Sequence, residues 1–183
     1  MEPQPSPADP VSRTWRRVRG WLPELAIVVV VIAGVHVYRT QDMLNASGEP
    51  APELYLPALT GGQAGLPQET DENTTLVYFF APWCTWCAAS AHNIRKLRNI
   101  RGQEELNVFL VALSYETVEE VQAYVERHEL DVPVLLGTSN TAFDWGVRAF
   151  PTYYIVDSHR RVVHRDYGYS TLAGLWLRTV LAD

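Results

Sequence analysis

Thr75-Leu76-Val77-Tyr78-Phe79-Phe80-Ala81-Pro82-Trp83-Cys84-Thr85-Trp86-Cys87 decides how the rest of this 183-residue chain is read. Its first half, Thr75–Phe80, is a continuous apolar run of β-formers without alternation, which predicts a strand buried on both faces. Its second half holds both cysteines of the chain, three residues apart. If a helix starts at Cys84, residues i and i+3 are neighbours, about 5–6 Å between Cβ atoms, a separation a disulfide spans with modest adjustment. The pair therefore reads as a redox switch. Unpaired N–H groups and the macrodipole at the helix N-terminus favour a thiolate there, so Cys84 is expected to attack and Cys87 to resolve.

Downstream of the cysteines, Ala88, Ala91, Ile94 and Leu97 repeat at helical spacing, with Arg95, Lys96, Arg98 and Arg101 toward the end and Gly102 as the stop. Cations in the last turn and a terminal glycine both suit a helix C-terminus. Further strands are expected at Leu106–Leu113, Val132–Leu136, Thr152–Val156 and Arg161–Tyr167. Leu54, Leu56 and Leu59 before Gly61-Gly62 suggest a short strand and turn. Thr117-Val118-Glu119-Glu120 fits a capping box opening a helix to about Arg127. A brief helix is expected over Thr141–Trp145, and a last one capped by Ser170, with Leu172, Leu175, Trp176 and Val180 as its apolar stripe.

The first half of the chain is organised differently. Residues 1–20 form a proline-rich, aperiodic head, expected to be disordered and cytosolic, that ends in Arg13, Arg16, Arg17 and Arg19. Residues 21–38 are mostly Val, Ile, Leu and Ala; at about 1.5 Å per residue they reach about 27 Å, just enough for a bilayer core near 30 Å. Four arginines before this segment and Arg39 alone just after it place the N-terminus inside and the remainder outside. A cleaved signal peptide competes with this anchor, since Leu25–Val35 has the length of a signal core and Asn45-Ala46-Ser47-Gly48 supplies small residues downstream. Either way the domain is exported. Residues 39–51 read as a tether and 52–183 as the folded domain.

Composition excludes some classes. The net charge is −6; residues 1–38 hold four basic and three acidic groups, leaving eleven basic and eighteen acidic beyond, which is a poor nucleic-acid binder. Two cysteines committed to one motif leave none for a structural cross-link.

A strand, Trp-Cys-x-x-Cys and a helix, with Phe150-Pro151-Thr152 opening a later strand, resemble the thioredoxin superfamily over roughly Pro52 to Asp183. The N-terminal anchor, the Ala51-Pro52 opening before Leu-x-Leu-Pro, and the extra helix and strand at Thr117–Leu136 resemble its membrane-anchored TlpA-type disulfide reductases. The resemblance implies an α/β thioredoxin-like fold, a central mixed sheet flanked by helices with an inserted helix–strand. It implies a cis Phe150–Pro151 bond and a substrate groove formed by Trp83, Trp86, Phe150, Pro151 and Thr152, with Trp86 either rimming the groove or covering the disulfide. It also implies catalysis by Cys84 and Cys87 without a cofactor or metal, on disulfides of exported proteins, in cytochrome c maturation or for another exported cysteine protein. A membrane thiol donor would recharge the pair from an inner-membrane, periplasm-facing site.

Departures accompany the matches. Ser90 stands where many relatives carry a glutamate, Tyr78 where thioredoxin has a buried aspartate, and His92 where a proline kinks the helix. A straighter helix is expected, with His92 on its surface about 80° around from Cys84. Two other uses of the cysteines are weighed. A protein-disulfide oxidant would have a more oxidising potential, and a Cu(I) module would bind the metal through the two thiolates. A zinc site lacks a second ligand pair. A peroxidase lacks the Thr and Pro expected before its cysteine.

Overall fold

The computed structural model describes residues 23–35, 43–66 and 73–182. The chain divides into two compact units, Met1–Gln41 and Asp42–Asp183. In the first, residues 23–35 form a helix, α1. Among the described residues no helix is long and apolar enough to cross a membrane. Residues 21, 22 and 36–38 of the expected span lie outside the described residues, as does the head.

The second unit is built on β4, Thr74–Phe80, every residue of which is buried. β4 pairs in parallel with β5 (Leu106–Ala112) and antiparallel with β7 (Thr152–Val156). The other strands are β1 (Glu49–Pro50), β6 (Val134–Leu136) and β8 (Arg161–Tyr167), which complete a mixed sheet in the order β1-β8-β7-β4-β5-β6. Strand geometry sends alternate side chains to opposite faces. Leu76, Tyr78 and Phe80 of β4 join one core with Leu106, Val108 and Leu110 of β5, whereas Val77, Phe79 and Val111 join the other.

The first face is covered by α2 (Thr85–Arg101), α3 (Val118–Arg127) and α5 (Leu172–Val180), through Ala91, Ile94, Leu97, Val121, Tyr124 and Leu175. The second is covered by the hairpin β2 (Tyr55–Pro57) and β3 (Gln63–Gly65), by Met43 and Leu54, and by Trp145, which ends α4 (Ser139–Asp144). Trp145 is fully buried and its ring lies 5.4 Å from both Phe79 and Tyr154.

Several boundaries differ from the sequence reading. Residues 43–51, expected as tether, are packed on the domain: Met43 is buried, Arg165 donates to the carbonyls of Met43 and Leu44 at 2.8 Å, and β1 pairs with β8. Their polar, glycine-broken composition hides this, because pairing on a sheet edge uses the backbone. Thr171, not Ser170, caps α5, its hydroxyl accepting from Gly174 N, while Ser170 is buried and its carbonyl accepts from Asn93. At α3 the Thr117 hydroxyl accepts from Glu120 N as expected, but the Glu120 carboxylate takes the N–H of Glu116, one residue before the cap. α4 begins at Ser139 behind a Thr138–Thr141 capping box, earlier than the apolar pattern suggests.

Gly65 is the tightest glycine of the hairpin. A Cβ built there would lie 1.6 Å from the Leu54 carbonyl oxygen, part of the backbone. Replacing Gly65 with Ala is expected to lower unfolding free energy by about 1–3 kcal/mol, the range for overpacking at a site that cannot give way. A urea titration in which Gly65→Ala keeps the native midpoint would contradict this packing.

Candidate active site

The two cysteines sit where β4 ends and α2 begins, positioned by the sheet below and the helix beyond. Cys84 is the N-cap of α2, in extended geometry, and its sulfur accepts the N–H of Cys87 at 3.1 Å. A disulfide joins Cys84 and Cys87, with 5.2 Å between Cα atoms. The halves of the pair differ in access: Cys84 is 6% exposed and Cys87 is 0% exposed. α2 then runs without a break to Gly102, which closes it at φ +69° with its N–H on Arg98 O. His92 is exposed on its surface.

Trp83 joins three segments. Its indole N–H donates to the Ser114 carbonyl at 2.8 Å, and its ring meets Phe150 edge-on with centroids 5.7 Å apart. The turn before α2, the end of β5 and the loop before β7 are thereby held together around Cys84. Phe150–Pro151 is a cis peptide. Around it, the Thr152 hydroxyl donates to Ala149 O at 2.8 Å and Gly168 N donates to Pro151 O at 2.7 Å.

All seven expected site residues therefore fall in two neighbouring segments, 83–87 and 150–152, with differing exposure. Trp83 and Trp86 are about two-thirds exposed, Phe150 is half-buried, and Pro151 is buried. Thr152 is 2% exposed, so its side chain braces the loop instead of lining an open groove. Trp86 stands outward, away from the core. Sequence reasoning missed Ser114, whose φ of +52° puts a non-glycine residue in the left-handed region. The feature that matters there is a backbone carbonyl, which leaves no mark in the residue pattern.

Beneath the pair the interior is neutral. Tyr78 is 1% exposed and burial pushes its hydroxyl far above the ordinary tyrosine range, with Ser90 opposing and Tyr124 and Tyr153 adding to the rise. Among the described residues no aspartate or glutamate is buried. A half-buried ionic cluster lies on the sheet at the α5 side. Tyr153, the cross-strand neighbour of Tyr78, donates to Asp166 at 2.9 Å and accepts from Arg178, which pairs with Asp166 at 2.9 Å. No group of three or more His, Cys, Asp or Glu converges among the described residues.

A thioredoxin-like α/β fold with a disulfide at the N-terminus of the helix after the central strand defines a thiol–disulfide oxidoreductase class. Residues 46–174 match the Redoxin family model, and the chain belongs to that family. It is 25% identical over 148 residues to the thioredoxin-like protein YneN of Bacillus subtilis, covering 76% of this chain and 85% of that one. Among solved structures, a thiol:disulfide interchange protein of the thioredoxin family from Chlorobium tepidum superposes with a TM-score of 0.67 at 19% identity, covering 76% of this chain and 99% of that one. A secreted Mycobacterium tuberculosis disulfide oxidoreductase homologous to E. coli DsbE gives a TM-score of 0.61 at 14% identity, covering 69% and 94%. At these identities the likeness to solved structures is one of fold.

Two histidines near this framework set a pH dependence. Burial lowers the pKa of His164 below its ordinary 6.5, with Arg178 adding to the fall and Asp166 opposing it; burial and then Arg127 lower that of His128. A folded-state pKa below the unfolded value means the unfolded chain takes up the proton first, so this stability is present above about pH 6.5 and lost as pH falls. The urea midpoint is expected to drop between pH 7.5 and 5.5, and to drop less in His164→Gln. An equal drop in both proteins would remove His164 from this account.

Proposed function

We propose that this chain is a membrane-tethered thiol–disulfide oxidoreductase that faces an extracytoplasmic space and reduces disulfides of exported proteins. The observation that carries the reading is the unequal access of the pair, Cys84 6% exposed at a helix N-terminus and Cys87 fully enclosed beneath it. In the reduced protein the Cys84 thiolate attacks a substrate disulfide, which breaks that bond, forms a mixed disulfide and releases one substrate thiolate. Cys87 then loses its proton and attacks the Cys84 sulfur, forming the Cys84–Cys87 bond and releasing the second substrate thiolate. Two electrons pass to the substrate, and its two sulfurs each take up one proton. No cofactor enters this exchange. A membrane thiol donor is needed to return the pair to the dithiol.

Export and tethering are supported by the charge bias, with Arg13, Arg16, Arg17 and Arg19 ahead of the apolar segment and Arg39 alone just behind it. They are supported further by α1, in which Leu25, Ile27, Val28, Val29, Val30, Val31, Ile32 and Val35 are all exposed, a surface that lipid rather than water suits. The secreted Mycobacterium tuberculosis protein of similar fold points the same way.

Trapping tests both chemistry and direction. Cys87→Ser in the full chain is expected to accumulate mixed disulfides through Cys84 in intact cells, and Cys84→Ser to accumulate none. Rapid thiol alkylation of the native protein in cells should find the pair mostly as dithiol. A pair found mostly oxidised makes the protein an oxidant instead, and a Cys87→Ser protein that traps nothing removes the exchange mechanism.

A further inference from the structure

Trp83, the residue before Cys84, is also a wall of an open groove of about 650 Å3 that runs along α3. Tyr115, Glu116, Glu120, Tyr124 and Arg127 line it with Trp83. Its walls are fixed in place. The Trp83 indole is anchored on Ser114 O, the left-handed Ser114 turns the chain out of β5 toward Tyr115, and Tyr124 stacks on Phe80 with centroids 4.7 Å apart. Glu116 N donates to the Glu120 carboxylate at 3.1 Å, which keeps both glutamates at the same end. Arg127 lies seven residues beyond Glu120, two helical turns or about 10 Å along α3. The charge therefore changes sign along the groove, acidic beside Trp83 and basic at the far end.

Helix capping accounts for part of this. A carboxylate in the first turn of α3 complements the helix dipole, and Glu120 also binds a backbone N–H. Capping does not account for Glu116, which precedes the helix. No cation pairs with Glu116 or Glu120 among the described residues. Nor does capping require the exposed ring of Trp83 and the half-buried ring of Tyr115 beside these carboxylates, an arrangement that suits a cationic side chain laid over a ring face.

Building on the redox reading above, we infer that this groove binds the polypeptide segment flanking the substrate's disulfide and selects a segment with Lys or Arg close to the reactive cysteine. An extended segment advances about 3.3 Å per residue, so the roughly 10 Å from the acidic end to Arg127 takes about three residues. The cation belongs at the Trp83 end, within two to four residues of the cysteine that Cys84 attacks.

The test uses the pre-reduced full chain in single turnovers with two disulfide peptides that differ only in carrying Lys or Glu at those flanking positions. The Lys peptide is expected to react about tenfold faster by kcat/KM at low salt, and the ratio to shrink as ionic strength rises. In the double variant Glu116→Gln, Glu120→Gln the ratio is expected to fall toward one; glutamine keeps an oxygen for the Glu116 N–H, so the helix start is preserved. Equal rates for the two peptides in the native chain, or a ratio that survives the double substitution, overturn the groove assignment alone. Failure to reduce either peptide overturns the redox reading and the assignment with it.

Discussion

β4 is the constraint on which the remaining structure depends. It is buried along its whole length, paired on both edges, and covered on both faces by separate cores. A strand so enclosed satisfies its backbone groups through the sheet and buries its side chains on both sides, so its end is fixed in space. Cys84 follows four residues after Phe80, with its N–H on Ala81 O at 3.0 Å. The redox pair is consequently placed by the end of the most buried element of the domain, with the Cys84 sulfur carried just beyond its rim.

Three connections then bring chemistry to that rim, and they come from distant parts of the chain. The end of β5 arrives beside β4 because the two strands are parallel in register, Phe80 opposite Ala112. The cis Phe150–Pro151 loop arrives because β7 runs antiparallel, Phe79 opposite Thr152. One indole, that of Trp83, joins both to the turn that carries Cys84. A single exposed side chain thus sets the shape of the site and of the groove beside it.

How much of this could be read from residues alone follows from where the information lies. α2 was legible almost to the residue, Thr85–Arg101 against an expected Cys84 to Gly102, because its ends are marked by a capping sulfur, terminal arginines and a left-handed glycine. β7 and β8 matched their expected bounds because apolar runs and the intervening Asp157–Arg160 turn delimit them. Features that rest on backbone groups were not legible. β1 pairs through two residues, Glu49 and Pro50, of no strand-like character. Ser114 contributes a carbonyl, and Ser170 is buried with its carbonyl on Asn93 while the next residue, Thr171, caps α5. The site residues themselves were found by motif, but their depth was not: Thr152 faces inward, and only the packing of β7 on β4 decides that.

Depth also explains what the substitutions at Tyr78 and Ser90 do to the pair. A carboxylate beneath Cys87 would be a buried charge, expensive unless partnered. In its place the chain puts a tyrosine whose burial keeps it neutral, and a serine whose hydroxyl is occupied by the Trp86 carbonyl at 2.9 Å. Neither group takes up a proton at ordinary pH. The interior under Cys87 therefore offers no charge of its own, and the favourable electrostatics for a sulfur anion reside at the N-terminus of α2, which serves Cys84. In the proposed exchange, Cys87 is the enclosed sulfur that attacks once a mixed disulfide has formed at Cys84. The small opening at Cys84 and the neutral interior around Cys87 act in the same direction, setting the sulfur at the helix N-terminus apart from the one fully enclosed behind it.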